Sequence, residues 1–262
     1  MTETTTTAPL AGTVALVTGA NKGIGFEVAR MLGEQGGTVL AGARDPERGA
    51  DAERRLQAHG IDARHLRLDV TDHDSIARAA KVVADEHGRL DILVNNAGII
   101  APAAGAPSQT PLAALREVYE TNVFGIVALT NALLPLLRQA PAGRIVNVSS
   151  EVGSIEAMSD PDGVLAELTS IPYPSSKAAL NMITAMYAKE LRDTPLKVNA
   201  ANPGYCATDL NGHRGFRTAA QGAEAVVHLA TLPEDGPSGI LYGHLWHRDA
   251  RPDDPEYGTL PW

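Results

Sequence analysis

Cysteine is almost absent from this 262-residue chain. A single thiol, Cys206, excludes an intrachain disulfide and fits a reducing cytoplasm. Positive charge is also scarce: 22 Lys and Arg stand against 31 Asp and Glu, a formal net charge of −9. That balance argues against nucleic acid or an anionic membrane surface as the main partner. No apolar run approaches membrane-spanning length. The Thr-rich start has neither the basic nor the apolar region of a secretory leader, so residues 1–12 read as a flexible tail and a cytoplasmic location is expected. Nor is there a linker. Hydrophobic runs and turn signals recur evenly over residues 13–243, which predicts one domain, followed by an irregular Pro-, Asp- and His-rich tail over 244–262. His244 and His247 have a spacing compatible with a metal, but no further ligand is evident and no metal is expected.

What is present alternates. Short apolar runs at 14–17, 38–41, 65–70, 90–94, 144–150, 197–201 and 240–243 suit strands buried on both faces. Helical patterns separate them, including a long one from Pro111 to Leu137 that Pro135 bends. Thr218 and Gln221 form a capping box for another. The alternation predicts an α/β fold: a doubly wound parallel sheet in a Rossmann-like, three-layer single domain.

The first run leads into Thr18-Gly19-Ala20-Asn21-Lys22-Gly23-Ile24-Gly25 and then a helix. Glycines between a strand and a helix allow a tight turn and close approach of a ligand. They also leave a helix N-terminus open to phosphate. After the second run, Gly42 stands where an acid holds the ribose 2′-hydroxyl in NAD-binding chains. Asp45 is the alternative acid, but it precedes Pro46 and reads better as a helix cap. Arg44 and Lys22 remain to grip a 2′-phosphate, which favours NADP(H). Asp69 either accepts from an adenine amino group or, like Asp72, caps the next helix. Asn95-Asn96-Ala97-Gly98 brings small residues to a ribose or forms a plain turn. Asn122, on an apolar helix face, is structural or catalytic.

These pieces converge on Tyr173-Pro174-Ser175-Ser176-Lys177. Tyr173 reads as the cap of a helix that Pro174 opens, with Lys177 one turn along on the same face. An ammonium about 4 Å away, at an effective dielectric near 20, attracts a phenolate by about 4 kcal/mol. That is enough to bring a phenol, with a free pKa of about 10, toward neutrality, where acid–base exchange is effective.

Thr18-Gly19-x-x-x-Gly23-x-Gly25, Asp69, Asn95-Asn96-Ala97-Gly98, Asn122, Ser150, Tyr173-x-x-x-Lys177 and Pro203-Gly204 occur in the order found in the short-chain dehydrogenase/reductases. The chain resembles that family over about residues 13–243. It looks most like its NADPH-dependent carbonyl reductase branch. The resemblance implies reduction of a small ketone or aldehyde to an alcohol, or the reverse. Tyr173 would be the general acid, Lys177 its electrostatic partner and ribose contact, and Ser150, rather than Ser149, the donor to the substrate oxygen. Asn122 would complete a proton relay. Gly19, Asn21, Lys22, Gly23, Ile24, Gly25, Arg44, Asp69, Val70, Asn96, Ala97, Gly98, Pro203, Gly204 and Thr208 would bind NADP(H), with Thr208 on its carboxamide. Alternatives within the resemblance are a ketoreductase for carrier-bound 3-oxoacyl chains, which calls for a basic patch, and a catalytically silent NADP sensor, which usually lacks the Tyr or Lys. An insert at 154–171, with an apolar helix at 164–168, departs from the family pattern and points to a monomer or homodimer rather than a tetramer.

Overall fold

Every residue of β1 (Val14–Thr18) is buried, and its side chains alternate between two cores. Ala15 and Val17 join one, while Val14 and Leu16 join the other. This is what a continuous apolar run means in a sheet covered on both faces. The computed structural model describes residues 8–101, 106–246 and 256–262. Its strands are β1, β2 (Thr38–Ala43), β3 (Ala63–Arg67), β4 (Ile92–Asn95), β5 (Arg144–Val148), β6 (Lys197–Asn202), β7 (Leu241–His244) and β8 (Tyr257–Leu260). They form one sheet in the order β3-β2-β1-β4-β5-β6-β7-β8, parallel except for β8.

Helices α1 (Gly23–Glu34) and α2 (Pro46–Ala58) share a core with one face of the sheet, together with a later helix built from residues 219–230. The other face carries α3 (His73–His87) and a continuous rod made of α4 (Leu112–Tyr119), a π-helical turn (Glu120–Phe124) and α5 (Gly125–Leu137). A short α6 (Ile155–Ser159) precedes α7 (Pro172–Glu190), which also lies on this second face; α8 (Ala219–Ala230) is the helix named above. The doubly wound fold is as expected. The order reverses between β1 and β4, so a crevice opens at their carboxyl ends.

Several expectations are corrected. Leu112–Leu137 forms a 26-residue rod that is, by length and composition, long and apolar enough to cross a membrane. Its Val118, Val123, Ile126, Leu129 and Leu133 are buried in the domain, so that length belongs to a core helix. The expected helix at 164–168 is a run of turns with Leu165 buried, and the helix of the insert is α6 instead. The tail beyond 243 is not wholly irregular, because β8 pairs antiparallel with β7 from Leu260 opposite Leu241 to Tyr257 opposite His244. His247 lies outside the described residues, as do residues 1–7 of the expected tail. Residues 8–12 are held: Leu10 is buried and donates to the Gln35 carbonyl at 2.9 Å. Finally, α7 starts two residues early. Ile171 is its cap and Tyr173 its second residue, because Pro172 and Pro174 both fit a first turn whose N–H groups have no helical partner.

Candidate active site

At the reversal of strand order, a cleft of about 610 Å³ runs along the carboxyl ends of the strands. Its floor is the turn from β1 into α1. Gly19 and Gly23 are left-handed, at φ +63° and +58°, so side chains there would be strained. A Cβ on Gly25 would come within 2.5 Å of the Gly19 carbonyl. Lys22 caps α1 in an extended conformation without a side-chain bond to the helix end, which leaves that N-terminus facing the cleft. Asn21 and Ile24 complete this wall.

Opposite stand Asn96, Ala97 and Gly98. Thr18 fixes them, its hydroxyl accepting from the N–H groups of Asn96 and Ala97 at 2.9 and 2.8 Å, while the Asn96 amide donates to the Thr18 carbonyl at 2.8 Å. Thr18, the last residue of β1 and given no role by the motif, ties the two walls together.

Toward the far end, Arg44, Asp69 and Val70 line the cleft, joined by Arg48, which the sequence did not single out. Gly42 is not the end of its strand, for pairing with β3 continues to Ala43 opposite Arg67. Asp45 caps α2, accepting from the N–H groups of Glu47 and Arg48, each at 3.0 Å. Asp72 caps α3. Asp69 instead holds Thr71, accepting from its N–H at 3.0 Å and its hydroxyl at 2.7 Å. Burial pushes the Asp69 carboxyl up, but these bonds and nearby Arg44 outweigh it and hold the group below the usual carboxylate range.

Gly98 joins this cleft to the second half of the site. A Cβ there would lie 3.4 Å from Asn122 Oδ1 and 3.8 Å from Lys177 Nζ. Asn122 is fully buried in the π-helical turn. It clamps the backbone of one residue, accepting from the Ile99 N–H and donating to the Ile99 carbonyl, both at 2.9 Å, and it also reaches the Ser176 hydroxyl at 3.1 Å. A π turn carries one residue more than the helical ladder allows and often marks a functional site. Gly125 ends it where a Cβ would come within 2.5 Å of the Val70 carbonyl.

Ser150 follows β5 and lies beside Tyr173, whereas Ser149 donates to Asn181 at 2.6 Å, inside the layer beneath α7. Lys177 Nζ donates to the Val148 carbonyl at 2.7 Å and lies 5.4 Å from the Tyr173 ring centre. The expected fall of the Tyr173 pKa is reversed: burial pushes the phenol up to about 12, and the neighbouring Ser150 hydroxyl only partly offsets it. Burial pulls the Lys177 ammonium down to about 8. Desolvation outweighs the attraction between the two groups.

Pro203 and Gly204 turn the chain beyond β6, Gly204 donating to Asn202 Oδ1 at 3.2 Å. Neither lines the cleft; Thr208, a little further on, does.

Residues 13–217 match the short chain dehydrogenase family. The chain belongs to that family. This short-chain dehydrogenase is 38% identical over 238 residues to "Short-chain dehydrogenase anuI" of Penicillium roqueforti, covering 88% of this chain and 92% of the relative. It is 36% identical over 266 residues to "Carbonyl reductase [NADPH] 1" of Mus musculus, covering 86% and 94%. Among solved structures, NADPH-bound carbonyl reductase from chicken fatty liver superposes with a TM-score of 0.78 at 30% identity, covering 89% of this chain and 96% of that one. The motifs read from the sequence thus belong to a short-chain dehydrogenase near the carbonyl reductase branch.

Proposed function

We propose that this short-chain dehydrogenase is an NADP(H)-dependent carbonyl reductase in which Tyr173 gives a proton to the oxygen of a small ketone or aldehyde. The observation that carries the reading is the placement of Tyr173 one helical turn from buried Lys177, whose ammonium lies 5.4 Å from the Tyr173 ring centre and beside the cleft at Gly98. The cleft fits a dinucleotide. Its glycine turn leaves room that a Cβ would fill, an open helix end faces it, and Lys22, Arg44 and Arg48 supply positive charge. NADPH, when bound, supplies the hydride.

The protein's part is alignment and a proton. At neutral pH a phenol raised to about 12 is wholly protonated, the state needed for donation. Lys177, at about 8, is still mostly charged at pH 7, so it stabilises the phenolate that donation leaves behind. Ser150 hydrogen-bonds the substrate oxygen and sets its distance from Tyr173. Asn122 holds the Ile99 backbone and Ser176, and through them the geometry around Lys177 and Gly98. Lys22 and Arg44 take the 2′-phosphate, while the small residues from Asn96 to Gly98 border the ribose.

NADPH absorbance followed over a panel of aldehydes, ketones, quinones and diketones tests the reading. Tyr173→Phe is expected to lose nearly all turnover while binding NADPH close to wild type, because only the phenolic oxygen is removed. More than a few per cent residual turnover would show that another group is the acid. Equal affinity of the wild type for NADPH and NADH would remove the cofactor assignment.

A further inference from the structure

Lys22 is not idle in the structure. Its ammonium forms an ion pair with Oδ2 of Asp209, 187 positions along the chain. Both residues line that cleft and the shallower recess beside Arg48 and Glu47. Asp209 is no flexible surface acid. His213 Nε2 lies 2.8 Å from its other oxygen, Oδ1, so each carboxylate oxygen has a cation or ring nitrogen beside it.

The loop that presents Asp209 is itself constrained. Asn211 donates to the Cys206 carbonyl at 2.9 Å and accepts from the Thr208 N–H at 3.3 Å. His213 donates its N–H to the Thr208 carbonyl at 2.9 Å and takes a left-handed φ of +60°, uncommon for a residue with a side chain. Such strain persists only where the surroundings over-determine the backbone. Thr208 in turn rests 3.6 Å from where a Cβ on Gly23 would stand. The carboxylate is therefore placed against the glycine turn by its own loop, and Lys22 bridges to it.

We propose that Asp209 is a specificity-determining residue for the cofactor, competing with the 2′-phosphate for the Lys22 ammonium. The inference rests on the NADP(H) reading above. Lys22 has one charge and two anionic claimants. A 2′-phosphate must draw it off Asp209, whereas a 2′-hydroxyl leaves the ion pair in place. Asp209 thus opposes NADPH binding selectively and narrows the preference that Lys22 and Arg44 create. The Lys22 and Asp209 side chains are each 53% exposed, so the competition is modest, of the size of a surface ion pair.

Fluorescence titration of the purified protein with NADPH and with NADH measures it directly, without any turnover. Asp209→Asn is expected to tighten NADPH about two- to fivefold and to leave NADH nearly unchanged. In a Lys22→Met background the same substitution is expected to have no selective effect, because the contested cation is gone. An Asp209→Asn variant with unchanged or weaker NADPH binding overturns the proposal. So does an equal gain for both cofactors, or a gain that persists without Lys22. Should the substitution merely loosen the loop, both cofactors weaken in both backgrounds, and that pattern also counts against it. The wild-type ratio of NADPH to NADH affinity tests the cofactor reading separately, since that ratio can favour NADPH with no contribution from Asp209.

Discussion

The Lys177 ammonium is hydrogen-bonded to the Val148 carbonyl at 2.7 Å, which joins α7 to the last residue of β5. This contact holds a charge in a place that disfavours it, since burial brings the Lys177 pKa from 10.5 down to about 8. Between those values the unfolded chain binds the proton and the folded chain does not. The Lys177 contribution to stability therefore rises with pH across about 8 to 10, while from about 9 upward the Cys206 thiol, pushed up to about 11 by burial, works against it. Above 10 Tyr173 opposes it, because its folded pKa of about 12 makes the folded state the better proton binder. Lys177→Met should abolish the rise. Urea denaturation from pH 7.5 to 10 is expected to show wild type gaining on the variant by up to about 3 kcal/mol. Parallel curves would mean that Lys177 titrates as it does in the unfolded chain.

Asn122 gives a second test. Replacing it with Ala leaves the N–H and the carbonyl of half-buried Ile99 without the partner they have now. A fully buried orphan costs about 1–3 kcal/mol and one at the edge of the cleft less, so a loss of about 1–3 kcal/mol is expected in chemical denaturation, together with slower turnover. A loss under about 1 kcal/mol would show that the π-helical turn holds its shape without this clamp.

Much of this was legible in the chain, for reasons that differ by element. The inner strands are apolar on both faces, so residues 14–17 or 144–148 announce themselves without periodicity. Asp45 and the Thr218–Gln221 box are local chemistry and form as expected. The π-helical turn is not local: it depends on Gly125 meeting the Val70 carbonyl, a contact between distant segments. The Tyr173–Lys177 spacing was readable, but the sign of the pKa shift was not, because four-residue spacing reveals proximity and says nothing of burial. Asp209 sits beside Thr208 in a stretch already read, yet its partner Lys22 lies 187 positions away in sequence. β8 is four residues long and reads as loop because its pairing with β7 supplies what its own sequence does not.

A third prediction concerns that strand. The Tyr257 hydroxyl meets Arg217, Gln221 and Glu224 together. Burial, and then the hydrogen bond to Glu224, push its pKa up to about 12. Arg217 is almost wholly buried and also donates to the Pro203 carbonyl at 3.1 Å and the Gln221 carbonyl at 2.8 Å. Tyr257→Phe is expected to cost about 1–3 kcal/mol, since the partner is charged. It should also speed limited proteolysis within residues 205–217. A variant with wild-type stability and cleavage rate would show that β8 does not brace that loop.

The Arg217–Tyr257 contact also sets an order of events during synthesis. A chain leaving the ribosome folds from its N-terminus as it is made. By the time α8 has emerged, the glycine turn, the Tyr173 pair and nearly all of both cores are present, with Leu232 following at once. Arg217 already has the Pro203 and Gln221 carbonyls, but its contact with the Tyr257 hydroxyl comes only with a residue 40 positions further on. A message cut short before Tyr257 would therefore yield a protein with its cofactor cleft assembled and its neighbouring loop lacking the β8 brace.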